Sequence, residues 1–218
     1  MRGRMRPVEF DSYIPSFRLN KPVDSIGIGK ILKSNNASYT EDQLIIGELP
    51  IQQYVALDES SIQRICPLKN PLGIEDIRVF LSSLGMPGLT AYSAFYEIGK
   101  PRKGDTIFIS AASGAVGQIV AQLAKREGFS VIGSIGSDEK LSYIIDELGF
   151  DGSFNYKQEK TKEALSRLAP QGLNIYFDNV GGEHLEAALD AMNVSGRLIA
   201  CGMISDSRDA LKPIKNIH

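Results

Sequence analysis

A turn with the spacing of a phosphate-binding loop follows the first apolar segment in the second half of the chain. It matches the pattern Ala-x-Gly-x-x-Gly from Ala112 onward, and its central residues are Gly114, Ala115, Val116 and Gly117. Gly114 lets the backbone approach a pyrophosphate, and Gly117 lets the next helix pack tightly on the strand. The helix N-terminus then offers N–H groups to the phosphates. The turn indicates a dinucleotide site, although small residues also occur at such turns for packing alone.

The residues after the second strand of this half discriminate between dinucleotides. An NAD site places a carboxylate about 20 residues after the glycines, where it holds the ribose 2′-OH. Here the strand ends in small neutral residues up to Ser137, and Asp138 falls at the first helical position, where an acid complements the helix dipole. Lys140 lies within reach of an adenosine 2′-phosphate, so this stretch favours NADP. The alternative is that Ser137 only caps the helix and Lys140 is a surface charge.

Two further stretches end strands at the same edge, where open α/β sheets bind ligands. Asn179 is placed to hydrogen-bond the cofactor, and Gly181 and Gly182 leave room for it. The alternative is a glycine turn with Asn179 as an Asx cap. The segment after the fifth strand comprises Cys201, Gly202, Met203, Ile204 and Ser205. Both stretches are therefore candidate cofactor-binding segments.

Metal and thiol chemistry have little support in the sequence. The two cysteines are Cys66 and Cys201, the two histidines are His184 and His218, and no spacing typical of a zinc site joins them. We interpret Cys201 as a small buried apolar residue, because neither histidine has the sequence context of a base that could activate it. No metal is expected.

These candidate residues are positioned by a regular alternation of strands and helices. The predicted strands are Thr106–Ala111, Ser130–Ile135, Ser153–Asn155, Leu173–Phe177 and Arg197–Cys201. The predicted helices are Gly114–Glu127, Asp138–Leu148, Lys160–Leu168 and Glu183–Met192. Such alternation implies right-handed crossovers. It predicts an α/β fold with a doubly wound parallel sheet of five strands.

The first 84 residues show a different sequence pattern, in which short extended segments are separated by prolines. The predicted strands are Ser25–Lys33, Gln43–Gly47 and Ile51–Leu57. A helical pattern runs over Ile74–Leu84, and a second one over Met86–Glu97 follows the break at Gly85. This part is predicted to be β-rich.

Composition excludes several classes of function. The 218 residues carry a net charge of −2 and have a mean hydropathy of −0.10, so neither a nucleic-acid partner nor a membrane span is expected. Two cysteines form no disulfide framework, and no signal peptide is recognisable at the start. We therefore expect a cytoplasmic protein with reduced thiols.

Taken together, six stretches resemble the zinc-independent medium-chain dehydrogenase/reductases, and within them the NADPH-dependent alkenal double-bond reductases and prostaglandin (leukotriene) reductases. The stretches are Gly85-Met-Pro-Gly-Leu-Thr-Ala-Tyr92, Ala111-Ala-Ser-Gly-Ala-Val-Gly117, Gly136-Ser-Asp-Glu-Lys140, Phe154-Asn-Tyr-Lys157, Phe177-Asp-Asn-Val-Gly-Gly182 and Cys201-Gly-Met-Ile-Ser205. They follow one another in family order. Before residue 85 the resemblance is looser.

The resemblance implies a Rossmann domain over residues 85–218, preceded by part of a GroES-like β-rich domain over residues 1–84. It implies that Lys140 and Tyr156 serve the adenosine 2′-phosphate, and that Asn179 and residues 201–207 line the cofactor further along. Met86 and Tyr92 would lie near the nicotinamide. The implied reaction is hydride transfer from NADPH to the β-carbon of an α,β-unsaturated aldehyde or ketone.

The chain also departs from the family pattern. Met1 aligns inside a motif that follows a β-rich opening in family members, and His218 comes soon after the fifth strand. The sixth strand, through which the family dimerises, and the tyrosine assigned near the substrate oxygen would lie beyond it. We therefore expect a truncated reductase whose catalytic residues are not identified, whose homodimer strand is missing and whose activity is compromised.

Two alternatives remain open at this point. A quinone reductase of the same superfamily would share the glycine turn and the missing zinc ligands. A non-catalytic NADPH-binding protein would retain only the cofactor site. A short-chain dehydrogenase is disfavoured, because Tyr96-x-x-x-Lys100 precedes the phosphate turn, whereas that class needs this motif downstream. A methyltransferase is also disfavoured, since no acid ends the second strand.

Overall fold

A computed structural model describes residues 2–9, 12 and 14–205 of the chain. The predicted cofactor-lining residues 206 and 207 and the end of the chain at His218 lie outside the described residues. The chain divides into two compact units between Leu81 and Ser82. Each unit is built around its own sheet.

The second unit contains the parallel sheet that the sequence predicts. Its strands are β4 (Thr106–Ile109), β5 (Ser130–Ile135), β6 (Gly152–Asn155), β7 (Leu173–Asp178) and β8 (Met192–Ala200). They run parallel in the order β6-β5-β4-β7-β8. The doubly wound α/β fold is therefore confirmed.

Helices cover both faces of this sheet. The helices are α2 (Met86–Ser93), α3 (Gly117–Arg126), α4 (Asp138–Ser142), α5 (Thr161–Leu168) and α6 (Gly182–Ala191), with π-helical turns at Ala94–Gly99 and Tyr143–Glu147. Alternate residues of β4 enter different cores: Ile107 and Ile109 pack with α3, whereas Phe108 packs with α5 and α6. Both faces are buried, and for this reason the strand reads as a continuous apolar run.

Several element boundaries in this unit differ from the sequence prediction by one or two residues, and three elements differ in a more informative way. Helix α3 begins at Gly117 rather than Gly114, because residues 110–116 form the turn itself. The helix predicted over Asp138–Leu148 is α4 continued by a π-helical turn. Strand β8 begins at Met192 instead of Arg197, and its register with β7 shifts between Leu173 and Ile175.

The first unit contains a three-stranded antiparallel sheet. Its strands are β1 (Asp24–Lys30), β2 (Leu44–Pro50) and β3 (Ile65–Pro67), and a short helix α1 (Glu59–Ile62) precedes β3. The unit also has 3₁₀ turns at Arg2–Met5 and Ile77–Leu81. The predicted β-rich character of this region is confirmed.

Two predictions in the first unit were wrong. Residues Ile51–Leu57 form bends and not a strand, because the ladder of β2 ends at Pro50 and the side chains of Ile51 and Tyr54 are 63% and 70% exposed. The third strand is instead β3, which has only three residues. The helix predicted over Ile74–Leu84 shortens to a 3₁₀ turn after Asp76, whose carboxylate accepts the N–H of Arg78.

Candidate functional site

The turn after β4 is held in a tight conformation by its own backbone. The N–H of Gly114 donates to the carbonyl of Ala111 at 2.9 Å, and the N–H of Ala112 donates to the carbonyl of Ser134 on β5 at 3.0 Å. Ala111 adopts a left-handed conformation with φ +49°. A non-glycine residue pays about 1 kcal/mol for this conformation. The turn is therefore fixed at both its start and its centre.

The glycines of this turn pack too closely on its own backbone to carry a side chain, and within the described part of the chain the N–H groups that follow them are free for a ligand. A Cβ atom on Gly117 would lie 2.7 Å from the carbonyl oxygen of Ala111, and one on Gly114 would lie 3.0 Å from the same atom. None of the described residues accepts a hydrogen bond from the N–H groups of Ala115, Val116 or Gly117. These donors stand at the N-terminus of α3, where an anion is stabilised.

A pocket of about 320 Å³ opens beside the turn and is lined by Ser113, Glu139, Lys140 and Tyr143. Within the described part of the chain, the ammonium group of Lys140 forms no ion pair. The hydroxyl of Ser137 caps α4 by accepting the N–H of Lys140 at 3.5 Å. The predicted cation therefore lies next to the predicted phosphate turn.

Tyr156 lies at the end of β6, and its ring is 46% exposed. The ring meets that of His184 edge-to-face at 5.3 Å, and a Cβ on Gly136 would lie 3.0 Å from the phenol oxygen. The imidazole of His184 in turn lies parallel to the ring of Phe108 at 6.5 Å. Tyr156 is thus supported from two sides at the carboxyl edge of the sheet.

His184 is a buried histidine in this aromatic stack. It is 7% exposed, and its Nε2 atom has no hydrogen-bond partner among the described residues. Burial lowers the pKa of its imidazole, while the negative charges of Asp178 and Glu183 act in the opposite direction. The neutral imidazole is therefore favoured at neutral pH.

The end of β7 is organised around Asp178, which is 3% exposed. One carboxylate oxygen, Oδ1, accepts hydrogen bonds from the hydroxyl of Tyr176 at 2.7 Å, the N–H of Val180 at 2.9 Å and the N–H of Gly181 at 2.8 Å. Burial and the charge of Asp178 raise the pKa of Tyr176 far above its usual range. The phenol therefore remains a hydrogen-bond donor.

Asn179 connects this turn to the phosphate turn. Its side-chain amide donates to the carbonyl of Ser110 at 2.8 Å, and its backbone N–H donates to the Ser110 hydroxyl at 2.9 Å. The hydroxyl of Tyr176 also lies 3.1 Å from the Ser110 hydroxyl. The amide nitrogen of Asn179 is thus engaged by the protein, and its role in holding a cofactor stays a prediction.

The segment from Cys201 to Ser205 is attached to the same turn. The carbonyl of Asp178 accepts the N–H groups of Cys201 and Gly202, each at 2.9 Å. The carbonyl of Val180 accepts the N–H of Ser205 at 3.0 Å and its hydroxyl at 2.6 Å. Three predicted cofactor segments therefore meet at residues 178–180.

The remaining members of this segment lie at the surface. Met203 and Ile204 are 62% and 73% exposed. Cys201 is half-buried, and burial, with the charge of Asp178, raises the pKa of its thiol. A raised pKa disfavours the thiolate, which agrees with the interpretation of Cys201 as an apolar packing residue.

Met86 and Tyr92 lie apart from this hydrogen-bonded network. Both belong to α2, with exposures of 63% and 59%. Among the described residues, the ring contact of Tyr92 is with Tyr96, at 4.7 Å. Their predicted position near a nicotinamide stays a prediction.

Several residues of the site were not singled out from the sequence. Ser110 directly follows β4 and Asp178 ends β7, which was the available signal, but the bonds that join Ser110 to Tyr176, Asp178 and Asn179 link residues distant in sequence. Glu139 and Tyr143 line the pocket through helical spacing from Lys140. The carboxylate of Glu139 therefore opposes the cation in the same pocket.

The described residues form neither a metal-binding cluster nor a helix suited to cross a membrane. Among the described residues, no three or more His, Cys, Asp or Glu side chains come together in a way that could hold a metal ion. In the same part of the chain, none of the helices combines the length and apolar character that a bilayer crossing requires.

Two family models match the sequence. Residues 115–218 match a model described as "Zinc-binding dehydrogenase", and residues 1–65 match one described as "N-terminal domain of oxidoreductase". The first match covers most of the parallel-sheet unit. The second covers the antiparallel sheet as far as the start of β3.

Curated relatives and solved structures give the same picture. The chain is 52% identical to the "NADP-dependent oxidoreductase RED1" of Cochliobolus heterostrophus, over 94% of this chain and 58% of the relative. It is 45% identical to a "2-alkenal reductase (NADP(+)-dependent)" of Nicotiana tabacum, over 100% of this chain and 62% of the relative. The crystal structure of CurA from Vibrio vulnificus in complex with NADPH superposes with a TM-score of 0.82 at 32% identity, covering 94% of this chain and 58% of that one. The chain thus spans about three-fifths of the length of these proteins.

Proposed function

Because the chain belongs to the medium-chain dehydrogenase/reductases, in their zinc-independent alkenal reductase branch, we propose that it binds NADP(H) and serves an NADPH-dependent reduction. The proposed substrate is the C=C bond of an α,β-unsaturated aldehyde or ketone. The names of the tobacco 2-alkenal reductase and of the NADPH-bound CurA support this assignment. Residues 85–218 are proposed to be the cofactor domain.

One observation carries the proposal. Lys140, which has no ion-pair partner among the described residues, lines one pocket together with Ser113 of the phosphate turn. A cofactor with a pyrophosphate and an adenosine 2′-phosphate presents two anionic groups, and this pocket puts a cation next to a set of backbone donors. NADH lacks the second anionic group.

In this proposal each segment has a separate binding role. The N–H groups of Ala115, Val116 and Gly117 hold the pyrophosphate, while Gly114 keeps its approach open. Ser137, Lys140 and Tyr156 surround the 2′-phosphate. The donors are preorganised, since the turn is fixed by bonds to Ala111 and Ser134 before any ligand binds.

The other end of the site is proposed to orient the rest of the cofactor. Asn179 and the segment from Cys201 to Ser205 line it, held in place by the carboxylate and carbonyl of Asp178. When bound, NADPH supplies a hydride to the β-carbon of the alkene. Met86 and Tyr92 are proposed to lie near the nicotinamide. No catalytic acid is assigned among the described residues.

Location and partners complete the proposal. The free thiols of Cys66 and Cys201 are typical of a reducing compartment, which supports a cytoplasmic location. The partner is a small-molecule enal, enone or quinone. The family resemblance suggests a homodimer, formed through a sixth strand that the described residues do not include.

Cofactor titrations test the proposal. Because the chain contains no tryptophan, binding is best followed by the fluorescence of the reduced cofactor itself. We expect NADPH to bind at least about tenfold more tightly than NADH, since one added charged contact is worth roughly 1.4 kcal/mol. Equal affinities would overturn the assignment to NADP(H).

Turnover assays then separate the possible reactions. We expect NADPH to be consumed with 2-hexenal in preference to a benzoquinone. Turnover of the quinone alone would instead favour the quinone reductases of the same superfamily. NADPH binding without turnover of either compound would favour a non-catalytic NADPH-binding protein.

A further inference from the structure

Asp138 is the first residue of α4 and lies close to the position where dinucleotide folds that prefer NAD place their ribose-binding acid. It follows the phosphate-turn glycines by about 20 residues and comes just after β5. A carboxylate here can accept the ribose 2′-OH of NADH and repels a 2′-phosphate. An NADPH-preferring protein therefore needs a reason why this acid does neither.

Both oxygens of the Asp138 carboxylate are engaged by side-chain amides. Oδ1 accepts from Nδ2 of Asn155 at 2.8 Å, and Oδ2 accepts from Nε2 of Gln158 at 2.9 Å. These two bonds, that of Asn155 first, lower the pKa of Asp138. The carboxylate is thus stabilised by the last residue of β6 and by the turn that follows it.

The amide of Asn155 is oriented by its own surroundings. Its side-chain oxygen accepts the N–H of Lys157 at 3.2 Å, so its NH₂ group is the one that faces Asp138. Its backbone carbonyl accepts the N–H groups of Gln158 at 2.9 Å and Glu159 at 3.0 Å. Asn155 is 7% exposed, and so the amide donor is held rigidly toward Asp138.

The pocket beside the phosphate turn excludes Asp138 from its lining. Its walls are Ser113, Glu139, Lys140 and Tyr143, although Asp138 is the direct neighbour of Glu139. The acid therefore faces the turn at residues 155–158, whereas the cation two residues later faces the pocket.

We infer that Asn155 and Gln158 are specificity-determining residues: their amides hold Asp138 away from the adenosine ribose, so that Lys140 is the charge that a 2′-phosphate meets. This inference rests on the proposed NADPH preference. It explains how the protein can prefer NADPH although Asp138 lies near the expected position of the adenosine ribose. Releasing the carboxylate allows it to accept a ribose hydroxyl and to oppose Lys140.

A double-mutant cycle tests this inference. The variants are Gln158→Ala and Asn155→Ala/Gln158→Ala, each with and without Asp138→Asn, and the measured quantity is the ratio of the dissociation constants for NADH and NADPH. Removing both amides is expected to lower this ratio about fivefold, and Asp138→Asn is expected to restore it. In the chain with both amides, Asp138→Asn should change the ratio less than about twofold.

A readout without cofactor tests the amide contacts themselves. The pKa of the Asp138 carboxyl, followed by ¹³C NMR, should rise in Gln158→Ala, because a hydrogen bond to its charged form is lost. Gln122→Ala serves as the matched control, since its exposed amide donates to the carbonyl of Gln118 and not to a carboxylate. This control should change neither the pKa nor the ratio.

The outcomes separate this inference from the proposed function. Equal binding of NADH and NADPH by the unmodified chain overturns both. An intact NADPH preference that the amide variants leave unchanged overturns only the role of Asn155 and Gln158. If Asn155→Ala does not fold, the test relies on Gln158→Ala, because Gln158 is exposed. A twofold or larger fall in the ratio of the NADH and NADPH dissociation constants, reversed by Asp138→Asn, supports the inference. An unchanged ratio overturns it.

Discussion

Two carboxylates lie where parallel strands end at the same sheet edge, and the protein uses them in opposite ways. Asp178, the last residue of β7, is 3% exposed, and four donors converge on one of its oxygens. Asp138 after β5 is exposed, and each of its oxygens accepts one side-chain amide. The first accepts from two backbone N–H groups and two hydroxyls, whereas the second accepts only from side-chain amides.

The difference indicates how each end of the site should respond to change. Around Asp178, loss of the acceptor oxygen leaves buried N–H groups unpaired, so the conformation of the turn is no longer held. Around Asp138 and Lys140, the groups are open to water, and charge and salt decide the outcome. Substitutions around Asp178 should therefore act through the position of hydrogen-bonding atoms, and substitutions around Asp138 and Lys140 through the sign of the charge.

The largest effect is expected from Asp178→Ala. It removes the acceptor of Tyr176, Val180 and Gly181 together, and we expect the free energy of unfolding to fall by about 3 kcal/mol. Asp178→Asn keeps an oxygen in the same place, and the described residues donate nothing to the other one. It should lose less than about 1 kcal/mol in urea unfolding.

The same pair of variants tests whether Asp178 acts through the position of its acceptor oxygen or through its charge. If Asp178→Asn is as unstable as Asp178→Ala, the negative charge rather than the acceptor position holds this turn. Asp105→Asn offers a matched control, because Asp105 is also buried but lies at the opposite end of β4. Its effect on cofactor binding should be small.

A smaller effect is expected at the exposed end. Lys140→Gln should weaken NADPH binding about tenfold and leave NADH binding nearly unchanged, because only the former carries the 2′-phosphate. Glu139→Gln, which removes the opposing carboxylate from the same pocket, should strengthen NADPH binding about twofold. Fluorescence titration of both cofactors measures these changes.

The salt dependence of cofactor binding tests whether Lys140 and Glu139 act through their charges. Screening over roughly 10 Å at 0.1 M ionic strength should bring the Lys140→Gln and Glu139→Gln variants closer to the unmodified chain as salt rises. The stability difference between Asp178→Ala and Asp178→Asn should not depend on salt. A salt-independent effect at Lys140 would contradict its assignment as an exposed phosphate partner.

The smallest effect is expected from the titration of His184. Because burial lowers its pKa in the folded state, the unfolded chain binds the proton more readily. The neutral imidazole contributes stability above the unfolded pKa of about 6.5, and this contribution is lost as pH falls toward the folded value. His184→Phe keeps a ring beside Phe108 and Tyr156 but cannot titrate.

Urea unfolding of both proteins between pH 7.5 and 5 measures this difference. The unmodified chain should lose stability relative to His184→Phe as the pH falls, and other titrating groups cancel in the comparison. Parallel pH profiles for the two proteins would show that the imidazole titrates normally in the folded state.

The parallel sheet could be predicted because its signal is local. Strands β4, β5 and β7 are short and mainly apolar, and Gly117 marks the start of α3 after the turn that follows β4. In the first unit the signal fails: Ile51–Leu57 has strand-like composition but no partner strand, and β3 is too short to stand out. Pairing across a sheet depends on residues distant in sequence, which local patterns do not contain.

The candidate site, like the sheet, could be predicted only where its signal is local in the sequence. The turn glycines, Lys140 and the helical position of Asp138 follow from spacing, whereas the amides that reach Asp138 come from Asn155 and Gln158 in a different element. Likewise, Asp178 reads as an ordinary residue at a strand end until its bond from the hydroxyl of Ser110, which is 68 positions away, is seen. Hydrogen bonds between elements need three-dimensional positions.

The irregular start of β8 bears on how this chain behaves at high concentration. Leu173 pairs with Met192 but Ile175 pairs with Arg197, so residues 193–196 bulge out of the ladder, with Ser195 at φ +63°. In the described part of the chain, β8 has a neighbour on one side only. A bulged outer strand offers an incoming strand a poor template, which limits aggregation through this edge to the regular stretch from Arg197 to Ala200.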